Sequence, residues 1–283
     1  MYTLIDGKLL AAEMRGELKE KTQLFEKERG RKVGLAVVLA GDNPASQVYV
    51  RNKIKACDEV GIKSFAVYLP QNVTQSVLEQ AVKELVSNCA VDGVLVQLPL
   101  PEHIDAESVL KLIPAEKDVD GFSAENTGKL LLNEQSLVAC TPHGVMKMLE
   151  KYKIDTKGKR AVVLGRSNIV GKPMAVLLLN ADATVTVCHS KTQNLKEECL
   201  RADIIVSAIG KPKFLTADMV KEGAAVIDVG MNRDEAGKLC GDVDFDKVKE
   251  KCSYITPVPG GVGPMTITML MYNAYYAAVR SKT

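Results

Sequence analysis

Three observations predict an α/β protein of two domains, each built on a parallel, helix-covered sheet. Apolar strand-like runs alternate with amphipathic helical stretches along most of the 283-residue chain, a pattern that lays parallel strands beneath crossover helices. A loop-rich stretch at residues 114–121 and a linking segment interrupt the alternation before it resumes. At the resumption stands Arg160-Ala-Val-Val-Leu-Gly-Arg-Ser-Asn-Ile-Val-Gly-Lys-Pro173, which reads as strand, glycine loop and helix.

The first series opens with a helix over 8–29, whose Leu10, Met14 and Leu18 recur at four-residue spacing and which Gly30 closes. Residues 33–40 form a continuous apolar strand, and Gly41-Asp-Asn-Pro44 is turn chemistry that starts a helix over 45–60. A strand at 64–69 follows. The next helix carries Leu78, Ala81, Val82 and Leu85 on one face, with Ser76 and Glu79 spaced as a capping box. Residues 93–98 are a strand stopped by Pro99 and Pro101, and a short helix at 105–113 leads into the 114–121 loop.

Helices are expected at about 123–132 and from Thr141-Pro142 to Tyr152. After the glycine loop come strands at 184–188, 203–208, 224–229 and 254–256, then a last helix over 265–279. That is a mononucleotide-binding layout continued. Ligands on such sheets sit beyond the carboxyl ends of the strands.

Pro173 suits the first turn of a helix, whose N–H groups and dipole then point at the loop and favour an anion, most plausibly a phosphate. Five residues between the glycines and Lys172-Pro173 exclude a Walker A loop, and Arg166-Ser167 replace the second glycine of the dinucleotide fingerprint. A ligand-free tight turn is the competing reading. The strand at 184–188 ends in His189-Ser190-Lys191-Thr192, without the acid that would accept ribose hydroxyls and repel a 2′-phosphate. Together with Arg166, this favours NADP over NAD, against a reading of Ser190 and Lys191 as solvated loop residues.

Composition narrows the function classes. Hydrophobic residues at 46% and charged residues at 25% describe a globular domain protein. A net charge of +2 gives no broad reason to bind nucleic acid. The N-terminus lacks the parts of a signal peptide and no apolar run approaches membrane-spanning length, so a cytoplasmic protein with no membrane partner is expected. Seven cysteines without a C-x-x-C pair and three scattered histidines argue against a metal site or disulfide framework.

The first half carries a different chemistry. Tyr49 and Lys53 share one helix face, as a functional pair or as a tyrosine over a snorkelling lysine. Gln97 is an isolated polar residue near a strand end, and Asp118 and Asp120 stand in a loop beside Gly121. Either aspartate suits hydrogen bonds to a polar heterocycle, or turn chemistry alone.

Five motifs in order, Tyr49-Val-Arg-Asn-Lys53, Val96-Gln-Leu-Pro-Leu-Pro101, Lys117-Asp-Val-Asp-Gly121, Gly165-Arg-Ser-x-x-Val-Gly-x-Pro173 and Pro257-Val-Pro-Gly-Gly-Val-Gly-Pro-Met265, give the chain its resemblance. Across its length it resembles the bifunctional methylenetetrahydrofolate dehydrogenase/cyclohydrolase family in its prokaryotic two-activity form. The resemblance implies a folate-binding catalytic domain at 1–122 plus 265–283, a Rossmann-like NADP-binding domain at 123–264 and a substrate cleft between them. It implies hydride transfer from 5,10-methylenetetrahydrofolate to NADP⁺, then hydrolysis of the methenyl cation to 10-formyltetrahydrofolate. Lys53 is then catalytic, with Tyr49 against the folate, Gln97 bonded to Lys53 and Asp120 on the pterin edge; Leu98, Pro259, Gly260 and Gly261 complete the substrate contacts. Gly165, Arg166, Ser167, Ser190, Met231 and Thr141 serve the cofactor, and a homodimer is usual.

Hydride transfer needs held rings more than acid–base help, whereas hydrolysis needs a proton moved. Lys53 is therefore expected to serve hydrolysis more than hydride transfer. A monofunctional dehydrogenase, an NADP-dependent dehydrogenase for an unrelated substrate and a non-enzymatic dinucleotide sensor are the competing classes.

Overall fold

The computed structural model describes residues 1–281. The chain divides into two compact units, residues 1–12 with 141–266 and residues 13–140 with 267 onward. These limits differ from the expected ones at the N-terminus and between 123 and 140; positions 282 and 283 lie outside the described residues. Two pairings account for the difference. Thr3–Leu4 adds a parallel edge strand beside Tyr254–Ile255, and the helix Ala124–Leu131 is tied into the earlier unit by Asn126, whose Nδ2 donates to the Ala115 carbonyl at 2.8 Å.

In the 13–140 unit, Gly34–Ala40 is the central strand of three, with Lys63–Leu69 and Gly93–Val96 parallel on either side. Every residue of Gly34–Ala40 is buried, as a strand covered on both faces requires. Pro44–Val60 returns the chain, begun by Asn43 accepting from Ala45 and Ser46 N–H and ended by Gly61 in the left-handed region. The helix Gln75–Ser87 is capped by Thr74 rather than by the expected Ser76, because the Thr74 hydroxyl accepts from Val77 N–H. Glu79 turns instead to Gln75 Nε2 at 2.7 Å.

A buried carboxylate fixes the start of this sheet. Asp92, 4% exposed, accepts both Arg31 guanidinium N–H groups at 2.8 Å and Gly34 N–H at 2.8 Å. Asp92→Ala would leave that N–H and the guanidinium without their acceptor, so a loss of about 2–4 kcal/mol is expected. A urea midpoint, read by far-UV circular dichroism, that does not move would show the pair to be dispensable.

The other unit carries a six-stranded parallel sheet in the order Thr3–Leu4, Tyr254–Ile255, Ala225–Asp228, Ile204–Ser207, Arg160–Leu164, Thr184–Cys188. From Arg160–Leu164 the chain moves outward to Thr184–Cys188, then back across to Ile204–Ser207 on the other side. The order therefore reverses at the Arg160–Leu164 strand, the place where open sheets of this kind hold ligands. The antiparallel hairpin Asn232–Arg233 with Leu239–Cys240 and the short helices Leu195–Leu200 and Phe245–Val248 were not foreseen. Among the described residues no helix is long and apolar enough to cross a membrane, and no group of three His, Cys, Asp or Glu side chains could hold a metal ion.

Candidate active site

In the 13–140 unit the helix Pro44–Val60 presents Tyr49 and Lys53, both partly buried. Burial raises the Tyr49 hydroxyl above its ordinary range. The Lys53 ammonium donates to Gln97 Oε1 at 2.9 Å. Gln97, just past the end of Gly93–Val96, donates its own Nε2 to the Leu98 carbonyl at 2.6 Å, which fixes the amide with its oxygen towards the lysine.

The two aspartates of the Lys117–Gly121 segment divide. Asp118 is fully engaged in holding the loop: it accepts from Gly121 N–H at 3.1 Å, Ser123 N–H at 2.7 Å and Asn126 Nδ2 at 3.1 Å. Among the described residues no donor reaches the Asp120 carboxylate. Burial pushes Asp120 up to about 6, with Lys53 pulling it down and Asp118 adding a smaller upward push. Asp120 is thus an unsaturated acceptor within electrostatic reach of the Lys53 ammonium.

Asn273 was missed in the sequence. It is buried in the last helix, and its Nδ2 donates to the Val119 and Val138 carbonyls, each at 2.8 Å, so it sets the backbone next to Asp120. One amide in the apolar and aromatic run of residues 269–279 was the available signal.

In the 141–266 unit, Gly165 follows the Arg160–Leu164 strand with φ +116°. A Cβ there would overlap the Ala208 carbonyl oxygen, so only glycine lets the two strand-end loops close up. Arg166 and Ser167 are exposed beyond it. The helix begins at Gly171, and its first N–H groups are not open as expected: Ser167 Oγ accepts from Gly171 N–H at 3.3 Å, and the Ser167 carbonyl from Lys172 N–H at 3.0 Å. The loop caps its own helix.

Leu164 and Cys188 are register partners, so Gly165-Arg166 and His189-Ser190 leave adjacent strand ends. Ser190 is exposed, in a turn closed by Thr192 Oγ1, which accepts from His189 N–H at 2.9 Å. Met231 is 50% exposed, and Thr141 Oγ1 lies 2.9 Å from Thr266 Oγ1. Pro259 is exposed, and the Gly260 carbonyl accepts from Lys8 N–H at 2.9 Å; Gly261 is buried. A glycine turn at the reversal point, an exposed arginine and serine on neighbouring strand ends and no acid at the second strand end fit a dinucleotide bearing a 2′-phosphate.

These features define a two-domain nicotinamide-dependent enzyme whose other unit carries a lysine and a partly buried carboxylate. Residues 5–120 match the family model for the catalytic domain of tetrahydrofolate dehydrogenase/cyclohydrolase, and residues 139–282 match that for its NAD(P)-binding domain. The chain belongs to the tetrahydrofolate dehydrogenase/cyclohydrolase family. It is 57% identical over 277 residues to the bifunctional protein FolD of Polaromonas naphthalenivorans, spanning 98% of each chain. The crystal structure of the bifunctional enzyme FolD, methylenetetrahydrofolate dehydrogenase/cyclohydrolase, from Campylobacter jejuni superposes with a TM-score of 0.96 at 54% identity, covering 99% of both chains. The Trypanosoma brucei dehydrogenase-cyclohydrolase, complexed with NADP cofactor and inhibitor, gives 0.94 at 42% identity, again over 99% of each.

Proposed function

We propose that this chain oxidises 5,10-methylenetetrahydrofolate with NADP⁺ to the methenyl cation and hydrolyses that cation to 10-formyltetrahydrofolate. The Lys53–Gln97 hydrogen bond, with the Asp120 carboxylate within electrostatic reach of the lysine and without a donor of its own, carries the reading. NADP⁺, when bound, accepts the hydride. Gly165, Arg166, Ser167, Ser190, Met231 and Thr141 are the residues proposed to hold it, with Arg166 and Ser190 on the 2′-phosphate. Tyr49, Leu98, Pro259, Gly260 and Gly261 are proposed to contact the folate. The protein works in the cytoplasm as a homodimer.

Hydrolysis demands that a proton leave the attacking water and that one reach the ring nitrogen that departs. Lys53 is the group proposed to move them. Gln97 takes one ammonium proton in a fixed direction and thereby aims the others, while Asp120 supplies negative charge to the lysine and an acceptor to the pterin N–H groups.

Asp120 must be ionised to accept those bonds, so kcat/KM for the folate should rise with pH through about 6. Asp120→Asn should remove that limb and lower kcat/KM roughly 10- to 100-fold, the worth of a charge-assisted hydrogen bond. Because the folded protein holds the Asp120 proton more tightly than the unfolded chain, whose value is 3.8, this residue's contribution to stability is lost as pH rises from 3.8 through about 6. The same variant should therefore melt higher than the parent at pH 8. A parent profile flat between pH 5 and 7 would remove Asp120 from the site.

The whole reading is tested by following NADPH and the methenyl chromophore separately in one reaction with 5,10-methylenetetrahydrofolate and either NADP⁺ or NAD⁺. NADP⁺-dependent turnover without methenyl build-up beyond the uncatalysed control is expected. Accumulating methenyl product would leave a dehydrogenase alone, and no turnover with either cofactor would end the proposal.

A further inference from the structure

Two buried aspartates in the 141–266 unit, Asp242 at 0% and Asp228 at 3% exposure, take no part in the proposed chemistry. Asp242 accepts hydrogen bonds from three successive backbone N–H groups: Ile209 to Oδ2 at 2.7 Å, Gly210 to both oxygens at 3.1 and 3.2 Å, and Lys211 to Oδ1 at 3.0 Å. Ser207 Oγ at 3.3 Å and Asn232 Nδ2 at 2.8 Å complete its shell. Successive N–H groups converging on one point form an anion nest of the kind that phosphate loops offer to ligands. Here the protein fills the nest with its own carboxylate.

Asp228 seats that carboxylate. It accepts from Asp242 N–H at 3.0 Å, Val243 N–H at 2.9 Å and Gly230 N–H at 2.9 Å. A Cβ on Gly230 would overlap the Asp242 carboxylate and its backbone nitrogen, so the two segments lie in close contact. The segments tied together are the turns that follow Ile204–Ser207 and Ala225–Asp228, at the carboxyl edge of the sheet. The first includes Ala208, whose carbonyl meets the Gly165 turn. The second holds Met231 between two tethered neighbours, Gly230 on Asp228 and Asn232 on Asp242.

We propose that Asp242, seated by Asp228, is a positioning residue for the dinucleotide: an internal anion that fixes residues 208–211 and 230–232 in the shape that receives the cofactor. The inference rests on the NADP reading above. It predicts a cost in cofactor affinity without a matching cost in the chemical step. Asp242→Asn keeps the shape but replaces an acceptor oxygen with an NH₂ facing N–H donors. Asn232→Ala removes one tether of Met231 at a half-buried site and leaves Asp242 its backbone bonds.

The test is steady-state kinetics of the full-length variants with NADP⁺ varied at saturating folate, beside NADPH fluorescence titration and a thermal melt. For Asp242→Asn the KM for NADP⁺ and the NADPH Kd should rise at least about 10-fold with kcat changed less than about 3-fold, and for Asn232→Ala both should rise about 3-fold or more. If Asp242→Asn does not fold, Asn232→Ala decides. Folded variants whose NADP⁺ KM stays within twofold of the parent, or whose kcat falls while KM holds, would overturn the inference. Failure of the parent itself to bind NADPH would instead strike the functional reading on which it rests.

Discussion

Lys53→Met is expected to lower cyclohydrolase turnover by about 10³-fold or more while dehydrogenase turnover falls far less. Proton transfer by a positioned side chain contributes roughly 10²- to 10⁴-fold, and methionine keeps the length of the chain but carries no proton. Hydride departure is driven by the folate nitrogen lone pair, so its dependence on Lys53 is limited to orientation and charge. The signature is a variant that makes NADPH and accumulates methenyltetrahydrofolate. Equal loss of both activities, with folate still bound, would show that the lysine serves a step common to both. Gln97→Leu should move in the same direction by a smaller factor, since it frees the ammonium from its aiming bond without removing the proton.

Gly165→Ala should separate the activities in the opposite sense. At φ +116° an alanine sits in a region that costs roughly 1–3 kcal/mol, and its Cβ would also push on the Ala208 carbonyl. Relief requires the glycine turn and the turn after Ile204–Ser207 to part, at the point where the strand order reverses. A displacement worth about 2.7 kcal/mol is 100-fold in affinity, so the KM for NADP⁺ should rise by about that factor or more. Cyclohydrolase activity on added methenyltetrahydrofolate should remain within about threefold. A variant with unchanged NADP⁺ KM would mean that the turn is not a cofactor contact.

The parallel sheets were legible because their signal is local: continuous apolar runs such as 33–40 and 160–164, separated by amphipathic helices, leave few alternatives. The glycine loop was legible for a related reason, since its spacing and Lys172-Pro173 together excluded the nucleoside-triphosphate loop. Asp118 and Asp120 were not separable by their own chemistry, and only the family resemblance singled out Asp120. Which of them closes the turn depends on where Ser123 N–H and Asn126 Nδ2 arrive, from a helix whose cap is Ser123 itself. The helix cap at Thr74 was misplaced to Ser76 because both hydroxyls precede an apolar face, and only backbone geometry decides between them. Asp228 and Asp242 were invisible for the same reason as Asn273: their partners lie elsewhere along the chain, and their meaning comes from burial.

Neither unit is made from one continuous piece of chain. The cofactor unit is completed by Thr3–Leu4, whose strand partner Tyr254–Ile255 lies some 250 positions away. The lysine-bearing unit is completed by residues from 267 onward, including Asn273 on the Val119 carbonyl. During synthesis, therefore, the cofactor unit cannot finish folding until Tyr254–Ile255 has left the ribosome, nor the lysine-bearing unit until Asn273 has, in contrast to proteins whose first domain matures while the second is still being translated.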